Sequence, residues 1–205
     1  MNIQPEELTA RGYRQKDSLN HQELIPFVQT YLKKKTFSSR LFNVLNLLFL
    51  AFFVAFFSYH YAQDNFSFGD GLSYTGIGVL LALSLIPVHE YLHVLAYRYV
   101  GAQQTSYDAN LKKFYFMAIA DRFVANKKEF FIVALTPFLS VCIAVGISLF
   151  VLEGLWICTA LSVLVTHTTF CSGDFALLSY FDFHQDREIV TYDDRASGIS
   201  YFYEK

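Results

Sequence analysis

Four stretches of this chain contain no Asp, Glu, Lys or Arg, and each approaches the length of a bilayer crossing. They are residues 41–61, 72–88, 130–152 and 154–173. A helix rises about 1.5 Å per residue, so a hydrocarbon core of about 30 Å takes roughly 20 apolar residues. The second block is expected to continue as helix to about Tyr99, and the fourth to about Phe181. This concentration of apolar residues argues against a buried soluble bundle in a chain of 205 residues. It predicts an all-α polytopic membrane protein with four transmembrane helices. Residues 1–40 form a cytoplasmic N-terminal segment, 41–181 the membrane domain with its cytoplasmic loop at 101–128, and 182–205 a cytoplasmic tail.

Basic residues orient that arrangement. Neither 62–71 nor the turn at Glu153 and Gly154 contains Lys or Arg. All 16 basic residues fall in the N-terminal segment, the central loop with Arg98 at its entrance, and the tail. Positively charged segments stay in the cytoplasm, so both termini are expected there, in the cell membrane. The first span would serve as an uncleaved signal anchor, since it follows a polar, basic segment. A net charge of −2 gives no reason to expect nucleic acid as a partner. Cys142, Cys158 and Cys171 all lie within expected spans, which implies no extracellular disulfide framework.

Two segments outside the spans carry a pattern. Leu24, Phe27, Val28, Tyr31 and Leu32 share one helical face, followed by Lys33, Lys34 and Lys35. Such a helix suits a membrane surface, and a solvated arm with a basic anchor fits equally well. Within the central loop, residues 113–120 are rich in aromatic and branched side chains. They are expected to form a short strand or hairpin whose edge could pair with an extended peptide.

The chemistry is concentrated at His89, Glu90 and His93, an H-E-x-x-H motif inside an apolar helix. Residues four apart stand one turn apart on one face, the spacing two imidazoles need to share a zinc ion. Glu90 lies about 100° further round, where a carboxylate can act as base for metal-activated water. Ionisable groups within a span are costly and mark functional sites. Pro87, two residues earlier, is expected to kink the helix.

A catalytic zinc site needs a third protein ligand. Counting helical rise from the cytoplasmic exits puts His93 roughly 9 Å deep, His89 roughly 15 Å, and Asp174 roughly 10 Å on the same side. An ionised Asp174 with no basic residue in any span requires a cation. Cys171 lies one turn deeper and His167 about 10 Å deeper than Asp174. The candidates for third ligand, in order, are therefore Asp174, Cys171 and His167, the last two also serving as groups behind the ligands.

The H-E-x-x-H motif, a cytoplasmic loop, Thr136-Pro137 in the third block and Ser172-Gly173-Asp174 resemble the zincin peptidase family of bacterial membranes. Through it they resemble the core of site-2-protease-type intramembrane metalloproteases. The resemblance spans roughly residues 72–181. It implies zinc bound by His89, His93 and Asp174, Glu90 as general base, and hydrolysis of a membrane protein or peptide near the cytoplasmic face of the bilayer. Site-2 proteases carry Leu-Asp-Gly, whereas this chain has Gly173-Asp174-Phe175. A non-catalytic metal-binding membrane protein, a sensor or a vestigial peptidase scaffold, needs the same ligands but no essential Glu90.

Overall fold

The computed structural model describes residues 3–110 and 115–205. After a short 3-10 turn at Pro5–Glu7, the chain forms β1 (Arg14–Asn20), α1 (Leu24–Leu32) and the long α2 (Phe37–Ala62). Then come α3 (Phe68–Ser84), α4 (Ile86–Tyr99), β2 (Thr105–Asn110), β3 (Tyr115–Ala120) and β4 (Ala125–Asn126). The remainder is α5 (Lys127–Ser148), α6 (Leu155–Phe170), α7 (Ser172–Phe183), β5 (Ile189–Asp194) and β6 (Ile199–Glu204).

The all-α expectation of four transmembrane helices needs correction. The N-terminal segment, the end of the central loop and the tail build a four-stranded antiparallel sheet in the order β1-β6-β5-β4, and β2 pairs with β3 in a separate antiparallel sheet. Among the described residues, three helical stretches are long and apolar enough to cross a membrane: Phe37–Ala62, Phe68–Tyr99 and Lys127–Ser148. The number rises to four only if α6 and α7, interrupted at Cys171, count as one span. The sheet escaped notice because its inward row is polar in part. Asp193, Ser200 and Glu204 are buried on the same face as Ile189 and Phe202, so no clean apolar alternation marks the strands. Lys113 and Phe114, part of the expected loop strand, lie outside the described residues.

The chain divides into two compact units. The first comprises Met1–Ser39, Pro87–Pro137 and Gly173–Lys205. Its largest core joins Phe130 and Ala134 of α5, Leu178, Tyr180 and Phe181 of α7, and Ile189 and Phe202 of the sheet. Leu24, Phe27 and Tyr31 of α1 pack against this cluster, with Tyr31 and Tyr180 edge to face at 5.0 Å. The apolar face of α1 is thus taken up by protein. Asn126 caps α5: its Oδ1 accepts from the Lys128 and Glu129 amides, while Glu129 Oε2 accepts from the Asn126 amide. This reciprocal box fixes where the helix starts.

The second unit comprises Arg40–Ile86 and Phe138–Ser172. Its tightest crossing is α3 against α6. Thr159 Oγ1 donates to the Tyr74 carbonyl at 2.9 Å, and Ser162 Oγ donates to that of Thr75 at 3.1 Å. A methyl group on Gly78 would overlap Ser162 Oγ and the Thr159 carbonyl, so only glycine permits this approach. Ala82, Val141, Val145, Ala160, Val163 and Leu164 fill the core beside it.

Candidate metal centre

Proline decides where the motif helix begins. The long apolar stretch is interrupted at Leu85, and α4 restarts with Pro87 in its first turn, where a missing amide costs nothing. His89 and His93 follow one turn apart. Their rings meet nearly perpendicular, at 80° and 4.7 Å between centroids, and their Nε2 atoms stand 3.1 Å apart.

Asp174, in the first turn of α7, completes the group. Its Oδ2 lies 3.3 Å from His89 Nε2 and its Oδ1 3.2 Å from His93 Nε2. Three donor atoms thus converge with separations of 3.1–3.3 Å. Ligands about 2.0–2.1 Å from a tetrahedral zinc are about 3.3 Å apart, so the triangle has the dimensions of one tetrahedral face. The donor set, two imidazoles and a carboxylate, is one zinc accepts while keeping a fourth position open. The residues fit the ion.

A backbone carbonyl settles the orientation of His93. Its Nδ1 lies 3.0 Å from the Val133 oxygen, which can only accept, so Nδ1 carries a proton and the ring is held with Nε2 turned towards Asp174 and His89. A ligating histidine requires this arrangement, with its second nitrogen held by a carbonyl or carboxylate. The side chains of His89, His93 and Asp174 are 11%, 9% and 16% exposed, which shelters the site without sealing it from water. Among the described residues, the ion-pair partners of Asp174 are these two histidines. A bound dication would balance its charge.

Glu90 stands beside the triangle, with a carboxylate oxygen within 4.8 Å of the nearest ligand nitrogens of both histidines. Its Oε2 accepts the Ala118 amide of β3 at 2.7 Å. Ala118 is paired in register with Tyr107 of β2, yet its N–H points away from β2. Backbone groups alternate along a strand. The outward row of β3 that begins at Ala118 therefore runs past Glu90.

His167 and Cys171 belong to the second unit, where Cys171 Sγ stands 3.8 Å from His167 Nδ1 and both residues are buried. The triangle of donors is drawn wholly from the first unit. Two contributors went unread in the sequence: the Val133 carbonyl and the Ala118 amide. Backbone groups leave no residue-type signal, although a proline four positions after Val133 is a visible clue.

Residues 82–186, just over half of the chain, match the protein family described as "Putative zincin peptidase". No curated protein and no solved structure matches the chain.

Proposed function

The chain belongs to the putative zincin peptidase family, and from that membership we propose that it is a zinc-dependent endopeptidase cutting a membrane-embedded protein near the cytoplasmic face. The observation that carries the reading is the convergence of His89, His93 and Asp174 on a zinc-sized triangle, with Glu90 beside it. Those three residues would hold the ion. When bound, zinc supplies a Lewis acid that acidifies water and polarises a peptide carbonyl.

The chain's own groups do the rest. Glu90 takes the proton of the attacking water and returns it to the departing amine. The Ala118 amide holds one of its oxygens and leaves the other to the reaction. A substrate helix must unwind before attack, because its backbone is hydrogen-bonded internally. An unwound segment would pair with outward backbone groups of β3 other than the Ala118 amide and the Ala120 carbonyl, which Glu90 and Phe123 hold.

Basic residues support a cytoplasmic location. The links 63–67 and 149–154 have no Lys or Arg, whereas Lys33, Lys34 and Lys35 precede α2 and Arg122, Lys127 and Lys128 lie at the start of α5. Reconstitution with a panel of single-span membrane proteins tests the reading. Glu90→Gln should retain zinc and lose cleavage by about 10²–10⁴-fold. Equal cleavage by the variant would remove Glu90 as base. Zinc-loaded wild type that cuts none of the panel would favour the non-catalytic metal-binding protein.

A further inference from the structure

Pro137 lies within α5, four residues after Val133. In an α-helix the amide of residue 137 donates to the carbonyl of residue 133, and proline has no amide to give. Its ring also crowds that carbonyl and tilts it off the helix axis. The Val133 oxygen thus loses its helical donor at the point where His93 Nδ1 donates to it, at 3.0 Å. The next carbonyl back is served twice, since Ile132 oxygen accepts Thr136 Oγ1 at 2.6 Å besides its place in the helix ladder.

We infer that Pro137 is a positioning residue for the metal centre: it frees and turns the Val133 carbonyl, which holds the His93 ring through Nδ1 with Nε2 aimed at the site. The inference rests on the zinc reading of that site for its purpose, but its geometry stands on the hydrogen bond alone. A neutral imidazole with a free choice of tautomer would spend part of its time with its proton on the ligating nitrogen. A neutral ring held through Nδ1 by a carbonyl does not. A proline inside a span is ordinarily a defect in the helix, and here the defect supplies the acceptor that the histidine needs.

Pro137→Ala tests this in the full-length protein in detergent. Alanine restores the missing amide and is a far better helix former, so a purely structural proline predicts equal or higher thermal stability and unchanged metal binding. The positioning role predicts unaltered or higher stability together with weaker zinc binding, by about 10–100-fold in chelator competition. It also predicts a change in the ¹⁵N shifts of the His93 ring in metal-free protein, followed over pH so that the neutral ring is read, from the Nδ1–H form towards a mixture. The His93 signal is assigned by its absence in His93→Gln.

Zinc affinity within twofold of wild type, with an unchanged His93 tautomer, would overturn the inference. Where Pro137→Ala fails to fold, replacing Ala134 by L-lactic acid makes the Val133 carbonyl an ester and a poorer acceptor. An unshifted tautomer there overturns the inference equally. Wild type that binds no zinc would defeat the metal reading instead, while the tautomer measurement still decides the role of Pro137.

Discussion

The Ala118 amide donates to the Glu90 carboxylate at 2.7 Å, tying a hairpin strand to the motif helix across 28 residues of chain. A hydrogen bond to a charged acceptor is worth about 1.5–3 kcal/mol, enough to slow amide exchange at least about tenfold. Glu90→Ala should therefore speed hydrogen–deuterium exchange at Ala118 by that factor. Exchange at Met117 and Ile119, whose amides face β2, should stay as it was. Glu90→Gln keeps an accepting oxygen and should preserve the protection. Uniform acceleration along β3 would mean that the strand has loosened and that the contact is not specific.

Asp174 bridges two histidines and brings the only charge among the three donors. Asp174→Ala should cut bound zinc to well below one per chain after dialysis, measured by metal analysis beside wild type and His93→Ala. Asp174→Asn keeps the shape and should fall between them. Full zinc occupancy in Asp174→Ala would take this residue out of the site.

Asp193 predicts a pH effect remote from the metal. It is buried, accepts from Ser200 Oγ at 2.5 Å, and has His21 Nε2 3.9 Å away. Burial pushes its carboxyl up to about 6, with nearby Asp121 adding to the rise and the Ser200 hydroxyl opposing it. Between about pH 4 and 6 the folded chain holds a proton that the unfolded chain has released, so this group's contribution to stability falls as pH rises. The loss amounts to about 3 kcal/mol above pH 6. Burial lowers His21, which acts in the opposite sense, its contribution to stability increasing with pH up to its unfolded value. The difference between wild type and Asp193→Asn isolates the carboxyl. Thermal unfolding should show the variant gaining on wild type from pH 4 to 6 and holding that gain above. Parallel curves would contradict the assignment.

Glu204 behaves in reverse. Bonds from Lys16, Arg187 and Arg14 hold it down at about 2, so its contribution is present above about pH 4.5 and disappears as pH falls towards 2. Glu204→Gln should flatten the acid limb of the same unfolding series.

Gly78 is the close point of the α3–α6 crossing. Gly78→Ala sets a methyl group against the Thr159 backbone and Ser162, and overpacking of this kind costs about 1–3 kcal/mol. A lower unfolding temperature with unchanged zinc content is expected, since the triangle belongs to the other unit. An unchanged unfolding temperature would mean that the helices separate at little cost.

Local spacing explains why the clustering of His89, His93 and Asp174 was legible in the sequence while the four-stranded sheet was not. His89, Glu90 and His93 lie within one turn, so helical geometry alone puts the two imidazoles together. Asp174 followed from depth, a one-dimensional argument that works wherever helices run across a common slab. The sheet offered no such handle. Residues 14–20 meet 199–204, and of the whole of β1 only Leu19 is buried. Charged partners such as Lys16 and Glu204 hold that pairing, in a pattern that reads as a solvated arm until the strands are brought together.

The pairing of β1 with β6 also sets an order of events. Residues 14–20 are made well before residues 199–204, so β1 waits for its neighbour until Glu204 has emerged. By then Phe37–Ala62, Phe68–Tyr99 and Lys127–Ser148, each apolar enough to cross a membrane, have been made. The unit that carries His89, His93 and Asp174 consequently closes its sheet only once β6 has been made.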